Sequence, residues 1–335
     1  MNYLINIYNK IEKDLEKEPN KKNKSLSRIK VLDNGNKFIF IVNRNRIRSM
    51  GIKIKNNNFI KSDFPRWKGM KYKFDSIKDD LVDYSDFIIF EQTQEDKNHI
   101  FEMIMYDLLK NIAQIKKYDS IECTIKSLLY KWKKFFNIQS DGVMSDIKQQ
   151  GLYSELIVLK KLISIYGRNA LNYWSGYNGE THDFYIKNNA IEVKSSSKKA
   201  PYKVTISSEY QLDDTDISGE LFLTFFAVKK SGYYGKNLPD IVNEIEELLL
   251  DKEQDIDKFR EHLFEYGYLY NYPELYNNYF SVRKNLSYKV EKLFPRILKL
   301  DLPKGIGGIS YNLSLDACEN FMIDEEDLYV KVGDN

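Results

Sequence analysis

Apolar residues fall at helical spacing over residues 3–17, where Leu4, Ile7, Ile11 and Leu15 share one face, and the run then breaks at "EPNKKNKS". This predicts a leading helix and linker over 1–27. From Arg28 to about Phe90 the period changes to two in "RIKVL", "FIFIV", "MGIKIKNNNFI" and "DFIIFEQ", and Asp33 to Gly35 between the first two predicts a hairpin. Helical spacing returns with Ile100, Met103, Ile104, Leu108 and Ile112, and again over 121–136. The expectation is a β-rich N-terminal domain, 28–140, ending in two connecting helices. The polar, glycine-containing "NIQSDGVMSD" at 137–146 is the candidate boundary.

Beyond it, "GLYSELIVLKKLISIYG" (151–167) reads as a helix stopped by Gly167. Three strand-like runs follow, "ALNYW" (170–174), "HDFYIK" (182–187) and "AIEVKSS" (190–196), then "KVTIS" and the continuously apolar "LFLTFFAVKK" (221–230), a strand to be covered on both faces. This is the order of a small α/β core, placed at 141–232. Residues 233–335 read as an extension: two amphipathic helices in "DIVNEIEELLL" and "DIDKFREHLFEYGYL", then strand spacing in "FSVRKNLSYKV", "PRILKLDLP" and "GISYNLSL".

Composition narrows the class. The 335 residues are 42% hydrophobic and 14% aromatic, enough for a sizeable core despite 30% charge. With 51 basic against 49 acidic residues there is no global basic field, so nucleic-acid binding requires a local patch. Cys123 and Cys318 are the two cysteines, too few and too far apart for a disulfide scaffold or zinc site. The amino terminus lacks a secretory h-region, and the longest apolar run, 221–228, is too short to span a bilayer. A soluble cytoplasmic protein with no membrane partner is expected.

Alternation along "AIEVK" puts Glu192 and Lys194 on one strand face, opposite Ile191 and Val193. Asp183 lies nine residues earlier, and a tight turn brings it back beside Glu192. Two carboxylates so placed repel unless a cation or proton lies between them. Mg²⁺ suits such a pair, because it is held by one or two carboxylates and completes its shell with water and phosphate; Mn²⁺ is a possible substitute. Lys194 could then orient or deprotonate an attacking water and offset charge on phosphorus. Glu155, beside the Leu152, Leu156 and Leu159 stripe of the preceding helix, is the accessory carboxylate and a third candidate ligand.

Glu155, Asp183 and Glu192-Val193-Lys194 in this order resemble the PD-(D/E)XK nuclease superfamily, which implies a core of helix, three strands, helix and strand. The words "GLYSELIVL", "YWSGYNGETHDF", "AIEVKSSS", "ISSEYQLD" and "FPRILKLDLPKGIGGISYNLSL" resemble its DUF4420 group over most of the chain. That resemblance implies a bacterial nuclease-like subunit of anti-phage defence operons, acting on DNA with ATPase or helicase-like partner subunits. It extends more weakly to Gln211, and His182 stands where the nominal motif has proline.

Each signal has a plainer alternative. A bare E-x-K triplet recurs as "EDK" at 95–97, in a polar stretch expected to face solvent. Lys198, Lys199 and Lys203 either neutralise backbone phosphates or are ordinary loop lysines, and Gln211 either meets phosphate or holds its loop. His182 reads as a polar neighbour of the site rather than a ligand, and Trp174 as core. The expected activity is Mg²⁺-dependent DNA cleavage; a stand-alone sequence-specific restriction enzyme and a non-catalytic assembly subunit are the alternatives.

Overall fold

The computed structural model describes residues 2–17, 25–54, 70–78, 84–93, 98–115, 120–138 and 144–333. The linker expected after the first helix, the end of "MGIKIKNNNFI", the "EDK" triplet and half of the boundary segment lie outside them. The protein is mixed α/β and forms two compact units, Met1–Gly142 and Val143–Asn335.

In the first unit, β1 (Ser25–Val31), β2 (Lys37–Asn43), β3 (Arg48–Lys53), β4 (Met70–Lys78) and β5 (Tyr84–Gln92) form an antiparallel sheet in the order β1-β2-β3-β5-β4. The expected hairpin joins β1 to β2. The first helix, α1 (Asn2–Glu16), is part of this unit, because Leu4, Tyr8 and Ile11 are buried and the Tyr8 hydroxyl donates to the Ser49 carbonyl. The helices α2 (Asn98–Ala113) and α3 (Ile121–Ile138) complete it, with Met103, Ile104, Leu108 and Ile112 buried. Arg48 is buried on β3 and pairs with Glu12 of α1 and Glu102 of α2, which satisfies a charge that burial alone would forbid.

The second unit opens with α4 (Asp146–Tyr166), which starts five residues before its apolar stripe suggests, because Ser145 caps it by accepting the Lys148 N–H. The expected strand at 170–174 is instead a 3₁₀ turn, Gly167–Asn172. Adjacent Ala170 and Leu171 are both buried, which a half-buried strand does not allow. Only Trp174 pairs, with Phe184. A five-stranded sheet follows, β12-β10-β9-β7-β6, from β6 (Phe184–Ile186), β7 (Asn189–Ser196), β9 (Leu221–Ser231), β10 (Tyr279–Val290) and β12 (Met322–Ile323), with β8 (Lys203–Ile206) set apart. Residues 221–228 of β9 are buried throughout, as expected of a strand covered on both faces.

The strands β7 and β9 run parallel, so residues 197–220 form the crossover. The resemblance implies a helix there; the structure has turns and β8. The strand β8 pairs with β11 (Tyr311–Ser314) as a separate ribbon. Val204, Ile206, Leu212, Leu313 and Leu315 from this ribbon and its flanks pack against Leu223 and Phe225, covering the sheet face a crossover helix would cover. The expected strand "PRILKLDLP" is loop with a short 3₁₀ turn, Lys299–Asp301. The loop is clamped: Glu209, 2% exposed, accepts the Gly308 and Ile309 N–H groups at 3.1 and 3.0 Å. With its own backbone N–H, these hold its carboxyl down at about 2.

The helices α5 (Leu238–Leu248) and α6 (Glu253–Tyr266) follow β9, and α7 (Glu325–Gly333) ends the described chain. The extension read over 233–335 completes the core sheet, since β10 pairs along the whole of β9. The β6–β7 turn is itself tied to α7, since Lys187 Nζ donates to the Gly333 carbonyl at 2.6 Å and Asn189 Nδ2 to the Val332 carbonyl at 3.1 Å.

Candidate active site

The two-residue turn at Lys187 and Asn188 sets the register Phe184↔Ile191, so Asp183 continues the ladder opposite Glu192. Asp183 Oδ2 accepts the Val193 N–H at 2.7 Å, taking the place of a main-chain ladder bond. Alternation holds along β7: Glu192 and Lys194 share a face, and the Lys194 ammonium bonds Glu192 Oε1 at 2.5 Å. These are not solvated surface charges, because Glu192 is 1% exposed and the Lys194 side chain 16%.

Glu155 does not come from the sheet face that carries Glu192 and Lys194. Gln150 of α4 bonds Ser195, which alternates to the face opposite Glu192 and Lys194, so α4 lies across that other face. Glu155 reaches Asp183 past β6, the edge strand, where Gly176 leaves room. A Cβ at Gly176 would stand 2.4 Å from Glu155 Oε2 and 3.0 Å from Asp183 Oδ1, so any larger residue would push the carboxylates out of place. Trp174 Nε1 donates to Glu155 Oε2 at 2.8 Å and the Tyr266 hydroxyl to Oε1 at 2.6 Å. Trp174 is core, as expected, yet it also carries a polar contact to the site. Tyr266, on α6, was not legible as one tyrosine among 25; the glycine in "YWSGYNG" was the signal that a close approach occurs here.

A cleft of about 720 Å³ opens on this point. Glu155, Asp183, Lys194, Lys198, Lys199, Lys203 and Gln211 all line it. Glu192 does not, being bonded to Lys194 and 1% exposed, so two of the three candidate carboxylates open into the cleft. Gln211 Oε1 also accepts the Ser207 N–H at 2.8 Å, which shapes its loop. His182 is fully buried, with Nε2 3.3 Å from Asp216 Oδ1 and Nδ1 3.9 Å from Glu192 Oε2.

Crowded carboxylates dominate the electrostatics. Burial, opposed by the Tyr266 and Trp174 donors, lifts Glu155 to about 7. Burial, then Glu192 and Glu155, lift Asp183 well above the carboxylate range. Burial works against a charge on Lys194, but the three carboxylates outweigh it and raise its pKa. Burial likewise opposes a charge on His182, and Glu192 with Asp216 outweighs it, raising its pKa. Three acidic groups around one ammonium leave a deficit of positive charge.

Among the described residues no group of three or more His, Cys, Asp or Glu side chains forms a ligand cluster, so an ion here would rest on at most two carboxylates completed by water and substrate rather than on a closed protein cage. The donors do fit a hard cation that keeps its waters: Asp183 Oδ1 faces the Gly176 gap, and Glu192 Oε2 is buried with no hydrogen-bond partner among the described residues.

The profile of a family described as "Putative PD-(D/E)XK family member" matches residues 6–316. The chain belongs to this family, DUF4420. No curated protein and no solved structure matches it. Membership suggests a metal-dependent nuclease, and PD-(D/E)XK nucleases typically use Mg²⁺. The match spans both compact units, so the family comprises more than the core that holds the site. Among the described residues no helix is long and apolar enough to cross a membrane.

Of the three lysines of the DUF4420 cleft, Lys198 and Lys199 lie in the loop after β7 and Lys203 opens β8, and together they lead to one expected result. Replacing Lys198, Lys199 and Lys203 by alanine should weaken binding to duplexes of any sequence and flatten the dependence of log K on log salt by up to about 3 units. Fluorescence anisotropy across a salt series measures this. An unchanged slope would return them to the status of ordinary surface lysines.

Proposed function

We propose that the protein is a Mg²⁺-dependent DNA endonuclease. The observation that carries this reading is the meeting of Asp183, Glu155 and Lys194, backed by Glu192, at the floor of a cleft rimmed by Lys198, Lys199 and Lys203.

Asp183 and Glu192 would hold the ion, with Glu155 as the accessory carboxylate. When bound, the ion supplies Lewis-acid polarisation of the phosphate and acidifies a water. Lys194, kept charged by its carboxylate neighbours, orients the attacking water and offsets the negative charge that builds on phosphorus as the P–O bond to the leaving group breaks. The rim lysines and Gln211 lie where flanking phosphates would run, and such contacts bind without reading sequence. The choice of DNA, a setting in phage defence and action with ATPase subunits are supported by the family resemblance alone and form part of the same proposal.

Supercoiled plasmid, incubated with the pure protein and Mg²⁺, Mn²⁺ or EDTA, tests the reading. Nicked and linear products are expected with either metal and none with EDTA. Discrete fragments from linear DNA would favour a sequence-specific enzyme. Absence of cleavage under every condition, together with phage resistance that survives Asp183→Ala in cells carrying the whole operon, would leave the chain as an assembly subunit.

A further inference from the structure

Two polar atoms beside the site lack partners. His182 Nδ1 and Glu192 Oε2 are both buried, neither has a hydrogen-bond partner among the described residues, and they lie 3.9 Å apart. The imidazole is anchored from behind: Nε2 lies 3.3 Å from Asp216 Oδ1, and the other Asp216 oxygen accepts the Tyr185 hydroxyl at 2.9 Å. Its backbone is also held, because Ser175 Oγ donates to the His182 carbonyl at 2.9 Å. Histidine thus occupies the position where the nominal motif has proline, and it faces the one carboxylate oxygen that Lys194 does not hold.

Resting on the nuclease reading above, we propose that His182 is a positioning residue for Glu192. A small approach lets Nδ1 donate to Glu192 Oε2, and Lys194 holds Oε1, so the plane of the carboxylate is fixed from both sides. Each oxygen still has a second acceptor direction free for a ligand. A carboxylate held at one oxygen only can swing, and Lys194, bonded to it, would move with it. Second-layer partners of this kind orient ligand groups and tune affinity without touching substrate.

Mn²⁺ binding, read from the free-ion electron paramagnetic resonance signal with melting temperature recorded alongside, tests this in wild type and in His182→Ala, His182→Asn, Asp216→Ala and Asp183→Asn. His182→Ala should bind Mn²⁺ about 10- to 100-fold more weakly, and His182→Asn, whose amide can donate near the Nδ1 position, should recover most of the loss. Folded His182→Ala with wild-type affinity, or His182→Asn no better than alanine, overturns the inference while a weakened Asp183→Asn leaves the metal site standing. Should His182→Ala not fold, Asp216→Ala decides. Asp216 is 42% exposed, so the change spares the core, and unchanged affinity there overturns the inference. A wild-type protein that binds no Mn²⁺, or Asp183→Asn binding it equally well, overturns the metal site and this inference together.

Discussion

Replacing Lys194 by alanine should cut the plasmid cleavage rate by about 10²- to 10³-fold, the loss usual when one preorganised charge-stabilising donor is removed. The same change should cost stability. Lys194 is the ammonium bonded to Glu192, which is 1% exposed. Removing it leaves a buried carboxylate beside Asp183 and Glu155 with the local repulsion unrelieved. Breaking a buried pair from one side costs about 3–5 kcal/mol. Initial cleavage rates and urea unfolding of the same preparation measure both effects, and saturating substrate shows whether the loss is in turnover. Cleavage by the folded variant at close to the wild-type rate would remove Lys194 from the reaction.

Asp183→Asn is expected to go the other way in stability while losing cleavage to background. Asparagine keeps an oxygen that can accept the Val193 N–H, so the ladder contact survives, but the charge that Glu192 and Glu155 oppose is gone. The sign follows from linkage. Asp183 and Glu155 have folded pKa values above their ordinary ones, so the folded state binds their protons more tightly than the unfolded chain does. Their contribution is fully present below the ordinary carboxylate range and is lost as pH rises through it towards about 7, the value for Glu155. With EDTA present, the wild type should therefore lose stability between about pH 4.5 and 7 from these groups. Asp183→Asn should flatten that loss and be the more stable of the two at pH 7. Millimolar Mg²⁺ should close the gap by stabilising the wild type alone. Melting curves across pH with and without Mg²⁺ measure this; an asparagine variant less stable than wild type at pH 7 would mean the carboxylates do not repel one another as the geometry requires.

What the sequence showed and what it hid divide along physical lines. The β6–β7 hairpin was legible because its determinants are local: alternation, a tight turn and nine residues between Asp183 and Glu192. The apolar run of β9 was legible for the same reason. The partners of Glu155 were not, since Trp174 lies in a segment whose apolar content suits strand or 3₁₀ turn alike, and Tyr266 comes from 111 residues away. The strand spacing of "KVTIS" in the crossover was legible, but not what it does, because coverage of the sheet is a tertiary property: residues 203–206 and 311–314 supply jointly what the helix implied by the resemblance would have supplied alone. The stretches "ISSEYQLD" and "LPKGIGGIS" meet in space through Glu209, which bonds Gly308 and Ile309 across about 100 residues, a pairing that no local pattern reveals.

The anchoring of the hairpin turn to α7 has a consequence for the chain as it is made. Thr205 on β8 waits 107 residues for its partner Asn312, and the turn that aims Asp183 at Glu192 waits still longer, 146 residues from Lys187 to Gly333. On the ribosome the two carboxylates are therefore synthesised early and fixed late. A nascent chain stalled between Tyr266 and α7 carries every residue of the candidate site and not the strut that ties its hairpin turn. The alignment of the two carboxylates is in this sense timed by translation.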